Sequence, residues 1–216
     1  MTYGFINGKI VSAEEYLIDL ELRIGQSTNI KHDLLNMPIK FDDTKIDAFI
    51  IGVKDDKPVI QLILPLSDKF DDKSNVYKTS YIRKLLNSND FLNRFNQEFV
   101  ERIQLTEVNT TNYVTYDKLW LLSHEEIAQN VDFLEQNKKC HAFDLFKHTD
   151  INSYTQMILE LNKQQCYGWR LRSASSDTTG SYNSELVGYV DHYGEVDNYR
   201  ANYTRFGAML PACTIY

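Results

Sequence analysis

Cysteine is scarce: Cys140, Cys166 and Cys213 are the full complement of 216 residues, odd in number and far apart. No C-x-x-C pair suggests a zinc site, and no dense set of cysteines suggests a secreted disulfide framework. Reduced, mostly buried thiols are expected, in a chain that folds in a reducing compartment. Positive charge is also in short supply. Lys and Arg number 23 against 30 Asp and Glu, for a formal net charge of -7. The basic residues are scattered, and the Arg83-Lys84 pair reads as a solvated helix face. The concentrated basic face that phosphate backbones need is missing, so nucleic acid is not an expected partner. No apolar run reaches the roughly 20 residues of a membrane span. Residues 1–10 lack the basic region and apolar core of a signal peptide. Neither a membrane nor export by the ordinary secretory route is expected.

Several chemical signatures are missing as well. There is no glycine-rich phosphate loop, no nucleophile elbow and no Ser-His-Asp order. Neither the Glu-Pro-Asn nor the Gln-Pro-Asp tripeptide of calcium-dependent sugar binding occurs. No fixed-period repeat and no low-complexity tract is found.

The chain itself is 43% hydrophobic and 25% charged, enough for a sizeable core in an ordinary globular protein. Ser12-Ala13-Glu14-Glu15 has capping-box spacing. Tyr16, Leu17, Leu20 and Ile24 follow at helical intervals, so a helix is expected over 13–24. Residues 26–33 read as a linker. Residues 46–53 and 59–64 flank Asp55-Asp56-Lys57-Pro58 as a β-hairpin. The charged stretch 68–75 reads as an exposed loop. Helical spacing then runs over 80–86, with Tyr81, Ile82, Leu85 and Leu86 on one face, and continues through Phe91, Phe95, Phe99 and Ile103. Lys118-Leu119-Trp120-Leu121-Leu122 reads as a short buried strand. Ser123-x-x-Glu126 predicts a helix over 124–137, and another is expected near 153–162. Residues 169–173 alternate like a strand and are expected in one antiparallel sheet with 46–53 and 59–64. Beyond them come short strands and long ordered loops.

The order of these segments resembles a family of bacterial and phage domains with a Trp-x-Leu-Arg-Ser segment near the C-terminus. Phe49-Ile50-Ile51-Gly52 and Gln61-Leu62-Ile63-Leu64 match its opening hairpin. Ser80-x-x-Arg83-x-x-Leu86-Asn87 with Phe91-Leu92, Asp117-Lys118-Leu119-Trp120-Leu121-Leu122-Ser123-x-Glu125-Glu126 and Trp169-Arg170-Leu171-Arg172-Ser173 match later motifs. Residues 207–212 match the closing one, although its arginine is absent and Leu210 precedes Pro211. That family is similar in plan to C-type-lectin-like domains, including formylglycine-generating enzymes and the target proteins of diversity-generating retroelements. The resemblance implies an α+β, C-type-lectin-like fold: a twisted antiparallel sheet with flanking helices and a loop-rich C-terminal half. It spans residues 34–216 and leaves 1–33 as an N-terminal helix and linker. That helix is an expected attachment element, its apolar face covered by a neighbouring subunit or partner.

Candidate sites are weighed against plainer readings. Formylglycine-generating enzymes use a reactive cysteine pair in this half of the chain. Cys166 and Cys213 lie there without that sequence context and read as buried thiols. His141, Asp144 and His148 are spaced i, i+3, i+7 and could share a helix face as metal ligands, but a polar helix face explains them. His124, Glu125 and Glu126 suit a helix first turn. Arg170 and Arg172 project to one face of a strand, one of them buried and paired with a carboxylate. The richest stretch is 181–205, where Tyr182, Asn183, Tyr189, Asp191, Tyr193, Asn198, Tyr199, Arg200, Asn202 and Tyr203 mix rigid aromatic area with adaptable hydrogen bonds, as paratopes do. The plainer reading has these tyrosines plugging a loop-rich subdomain. The resemblance favours binding, because retroelement targets carry their variable surface in the same segment.

The expectation is a non-catalytic binding or display domain without cofactor or metal. It is a possible phage virion component (fibre, decoration or receptor-binding protein), oligomeric or part of a larger assembly, with a protein or glycan partner. The alternatives are a formylglycine-generating-type enzyme and an interaction module of the bacterial cytoplasm.

Overall fold

The structure, a computed structural model, describes residues 2–6, 9–24, 37–64, 66–110, 112–129, 134, 137, 139–162, 168–175, 185–204 and 208–216. Two short strands open the chain, β1 (Thr2–Ile6) and β2 (Lys9–Ser12), antiparallel with Phe5 opposite Ile10. The Ser12 hydroxyl then accepts the Glu15 amide at 3.1 Å and starts α1 (Ala13–Ile24), as the capping-box spacing predicts. Tyr16, Leu17 and Leu20 on α1 are all but fully buried, while Ile18 and Leu22 face out. Gly4 lets β1 and α1 close on each other. A Cβ there would sit 2.0 Å from the Tyr16 Cβ.

After the small hairpin β3 (Lys40–Phe41) and β4 (Thr44–Lys45), the chain forms the predicted central hairpin. It runs from β5 (Ala48–Lys54) to β6 (Lys57–Leu62). Asp55 and Asp56 turn it with φ of 51° and 59°, the paired positive φ whose twist suits antiparallel strands. Three short helices follow: α2 (Tyr81–Leu86), α3 (Asn89–Leu92) and α4 (Gln97–Arg102). Next come the hairpin β7 (Thr106–Asn109)–β8 (Val114–Asp117), then α5 (Asp144–His148) and α6 (Ile151–Asn162). The chain ends with β9 (Gly168–Ala174), β10 (Leu186–Asp191), β11 (Val196–Arg200) and β12 (Ala212–Thr214). The larger sheet has the order β12-β6-β5-β1-β2 and a second sheet the order β11-β10-β9. One hydrophobic core joins them. Among the described residues, no helix is long and apolar enough to cross a membrane.

Leu119 to Leu122 are buried as expected but make a single bridge, Trp120 to Ala212, in place of a strand, and three further expectations need correction. Residues 169–173 do form a strand, but β9 belongs to the second sheet and not to that of β5 and β6. Residues 124–128 are turns, not the start of a helix; most of 130–138 lies outside the described residues. Ser123 and Glu126 still exchange their box bonds, at 3.3 and 3.1 Å, yet Ala128 has a φ of 60° and stops helical propagation. The third correction concerns α1. β1 runs parallel to β5, with Thr2 opposite Ala48 and Tyr3 opposite Phe49, and α1 packs its apolar face into the chain's own core. That face needs no partner to cover it. The linker 26–33 lies outside the described residues.

Candidate binding surface

The motif residues hold one another. Arg83 places its Nε 2.8 Å from Asp117 Oδ1, and Asp117 is fully buried. Asn87 Oδ1 accepts the Lys118 and Leu119 amides at 2.7 and 3.2 Å, and its Nδ2 donates to the Leu119 carbonyl. Arg172 makes a two-pronged pair with Glu126, Nη1 to Oε2 at 2.6 Å and Nη2 to Oε1 at 2.7 Å. It also donates to the Leu121 and Asn109 carbonyls. Burial alone would lower the Arg172 pKa. The Glu126 charge and hydrogen bonds outweigh it and hold the guanidinium charged, as a desolvated fork paired with a carboxylate requires. Arg170 is buried too and donates through Nη2 to the Tyr203 carbonyl. The expected buried arginine paired with a carboxylate is Arg172, and Arg170 is buried beside it. These motifs build the scaffold and leave little of their polar chemistry for a ligand.

The tyrosine-rich segment divides differently. Tyr182 and Asn183 lie outside the described residues. In the β10–β11 hairpin, Tyr189 faces Asp197 and Val187 faces Tyr199, while Gly188 faces Asn198 and Leu186 faces Arg200. Side chains alternate across the pleat, so Tyr189 and Tyr199 share one face while Asn198 and Arg200 take the other. Tyr189 and Tyr199 meet edge to face with centroids 6.0 Å apart. Tyr203 meets Tyr199 the same way at 4.9 Å. Tyr189 and Tyr199 are half-buried, and Tyr203 is 43% exposed. Burial, then the Asp197 and Asp191 charges, raise the Tyr189 pKa. Burial, then Tyr203, raise that of Tyr199. Tyr189 and Tyr199 therefore stay uncharged at neutral pH.

Both ends of the hairpin are pinned. At the tip, Asp191 Oδ1 accepts the Tyr193 and Glu195 amides at 2.8 and 2.9 Å, a use of its side chain that the turn itself demands. Gly194 takes a φ of 82° against the Asn152 backbone. Tyr193 stands 61% exposed beside His192. At the other end, Phe70 and Asp71 donate to the Ala201 carbonyl. Asn202 is exposed just beyond it.

Sequence reasoning missed the neighbours that this pinning brings in. The loop 66–72 is held down by the fully buried Phe70. On this loop Asp68 Oδ2 accepts the Tyr81 hydroxyl at 3.1 Å, and Lys69 lies over the Tyr81 ring. Tyr81, expected on a shared apolar helix face, is 37% exposed. Only the charge of the loop hinted at a surface.

The other flagged residues are dispersed. His148 Nε2 lies 3.7 Å from Asp144 Oδ1, with His141 exposed before α5. Among the described residues no three His, Cys, Asp or Glu side chains gather as metal ligands. Burial pushes the Cys140 thiol up to about 11 and the Cys213 thiol higher still. Cys166 lies outside the described residues. His124 is buried, with Nδ1 3.0 Å from Ser173 Oγ and 3.3 Å from Glu125 Oε2. Both partners approach the same ring nitrogen, which is not the relay order of a hydrolytic triad.

Residues 61–216 match the family described as Domain of unknown function (DUF6273), and the chain belongs to that family. The match begins in β6, so the strand β5 that pairs with it lies before the matched segment. No curated protein and no solved structure matches the chain.

Proposed function

We propose that this member of the DUF6273 family is a non-catalytic binding or display domain, and that the ladder of Tyr189, Tyr199 and Tyr203 receives a protein or glycan partner. The observation that carries the reading is the ladder's geometry: three half-exposed rings, each edge-on to the next, on a hairpin fixed at both ends. A preset aromatic surface binds without the cost of ordering it first, and Tyr gives large contact area for few rotatable bonds. Arg200 and Asn202 are exposed at the rim, where polar side chains lend specificity.

The C-type-lectin-like plan is part of this proposal. Its support is that the chain's last strand returns to pair with the early hairpin, while a separate antiparallel sheet forms from the segment in between. Display on a virion, within an oligomeric assembly, is the proposed setting. Mass spectrometry of purified particles checks it, and finding the chain only in bacterial cytoplasm would refute it.

The binding test contrasts two kinds of variant. Trp169 is fully buried with its Nε1 3.2 Å from Thr155 Oγ1, so Trp169→Ala should cost about 3–5 kcal/mol and lose folding. Tyr199→Ala and Tyr203→Ala should keep the melting temperature within a few degrees yet lose attachment to a glycan array or to host cells, since Tyr is over-represented among binding hot spots. If the tyrosine variants melt as early as Trp169→Ala, the rings are core plugs and the proposal fails.

A further inference from the structure

A cleft of about 370 Å³, open to solvent and sharing no lining residue with the tyrosine ladder, lies between β5, the 139–144 segment and α5. Its charge is opposite to that of the molecule. In a chain of net charge -7, Lys54, Lys139 and Lys147 line it together with His141. Among the described residues, Glu126 and Asp144 also line it. Glu126 is spent on Arg172, and Asp144 lies 3.7 Å from His148. Lys54 is steadied at the mouth by donating its Nζ to the Glu107 carbonyl, which leaves its charge intact. The floor is apolar: Leu20 from α1, Val53 from β5 and Phe143. Gly52 makes room for that ring, since a Cβ there would meet Phe143 at 3.1 Å. The Cys140 thiol, held neutral by burial, completes the floor without adding charge.

A concave site of this size with an apolar floor and a few converging polar groups is the usual form of a small-molecule site. We propose that it binds a small organic anion, a carboxylate or phosphate carried on an aliphatic or aromatic body, with the lysines on the anionic group and Leu20, Val53 and Phe143 on the body. The recognition is ionic at the rim, so it weakens as salt rises. The site stands independently of the tyrosine ladder.

The probe is 8-anilinonaphthalene-1-sulfonate, an aromatic anion whose fluorescence rises on apolar burial, titrated into the native full chain. One saturable site is expected, displaced by phenyl phosphate but poorly by inorganic phosphate, which lacks the body. The exposed pair Lys139→Gln with Lys147→Gln should weaken binding roughly tenfold, the worth of two partly screened ion pairs, with an unchanged melting curve. Tyr203→Ala should bind the probe as the parent does. The proposal is overturned by absence of saturable binding, by equal affinity in the double-lysine variant, or by inorganic phosphate competing as well as phenyl phosphate. A loss of probe binding in Tyr203→Ala would also overturn it, by moving the site to the ladder.

Discussion

Arg172 and Glu126 put a full ion pair where water is nearly excluded, 3% and 9% exposed. Such a pair costs desolvation when it forms, and far more when it is broken. Glu126→Gln leaves Arg172 charged among the Leu121 and Asn109 carbonyls with half its partner's charge-assisted bonds gone. The expected loss is about 3–5 kcal/mol, read as a lower urea midpoint at neutral pH. Replacing both residues with Met should recover part of that loss, and a double variant as unstable as the sum of the singles would show that the pair is not coupled. Cys140 gives a second residue-scale test. Its thiol is raised from 9.0 to about 11, chiefly by burial, which means roughly a hundredfold less thiolate near neutrality than an ordinary cysteine. Maleimide labelling of the native protein should be correspondingly slow at this position and quicken as pH approaches 11. Fast labelling at neutral pH would show that burial does not hold this thiol protonated.

Two segments carry the same capping-box spacing and fold differently. At Ser12 the signal yields α1, whose buried Tyr16, Leu17 and Leu20 follow the helical period. At Ser123 the box closes just as well, but Glu126 is also claimed by Arg172 from a strand far along the chain, and the backbone turns at Ala128. A tertiary bond overrode a local preference, and no local window contains it. The strands before α1 were illegible for a related reason. β1 is short, centred on Gly4, and its parallel partner β5 begins 42 residues beyond its end, at Ala48 after Ile6. Its place in the sheet, between β5 and β2, predicts the outcome of removing residues 1–24. The truncation uncovers the edge of β5 and the core side of Ala48, Phe49 and Ile50, all fully buried. Exposed strand edges with apolar faces aggregate. The truncated chain should be insoluble or molten, judged by lost near-ultraviolet circular dichroism and dye binding. A truncated protein that melts cooperatively near the parent would return this segment to the role of a detachable attachment element.

Over the whole molecule, the elements were easier to read than their partners. The β5–β6 hairpin is local and its Asp55-Asp56 turn is written in the sequence. That β9 sits in another sheet, and that β12 closes the first one against β6, are non-local pairings with no period of their own. The tyrosine segment was found by composition, but only the register separates the ladder face from that of Asn198 and Arg200. The lysine cleft was invisible, because Lys54 and Lys139, which line it together, are 85 positions apart in the sequence (139 − 54). Joining the sheets also buries groups that cannot ionise in place, and this sets the alkaline limit of the protein. Tyr77 and Tyr154 are raised above their ordinary 10.0 and Cys213 above its ordinary 9.0, in each case first by burial. Each pKa is higher folded than unfolded, so the unfolded chain loses these protons first. Their contribution to stability is complete below about pH 9, and declines as pH climbs past 9 and 10 toward the folded values. Urea midpoints should therefore be level from neutrality to about pH 8.5 and fall steadily above it. Tyrosinate absorbance should rise in two stages, the second coinciding with loss of tertiary signal. Tyr154→Phe should lessen the alkaline slope, even though it gives up the hydrogen bond to Gln61 Oε1 at 2.8 Å and lowers stability at every pH. Midpoints that hold constant through the alkaline range would mean that these groups ionise in the folded protein, and that the core admits water at Tyr77 and Tyr154.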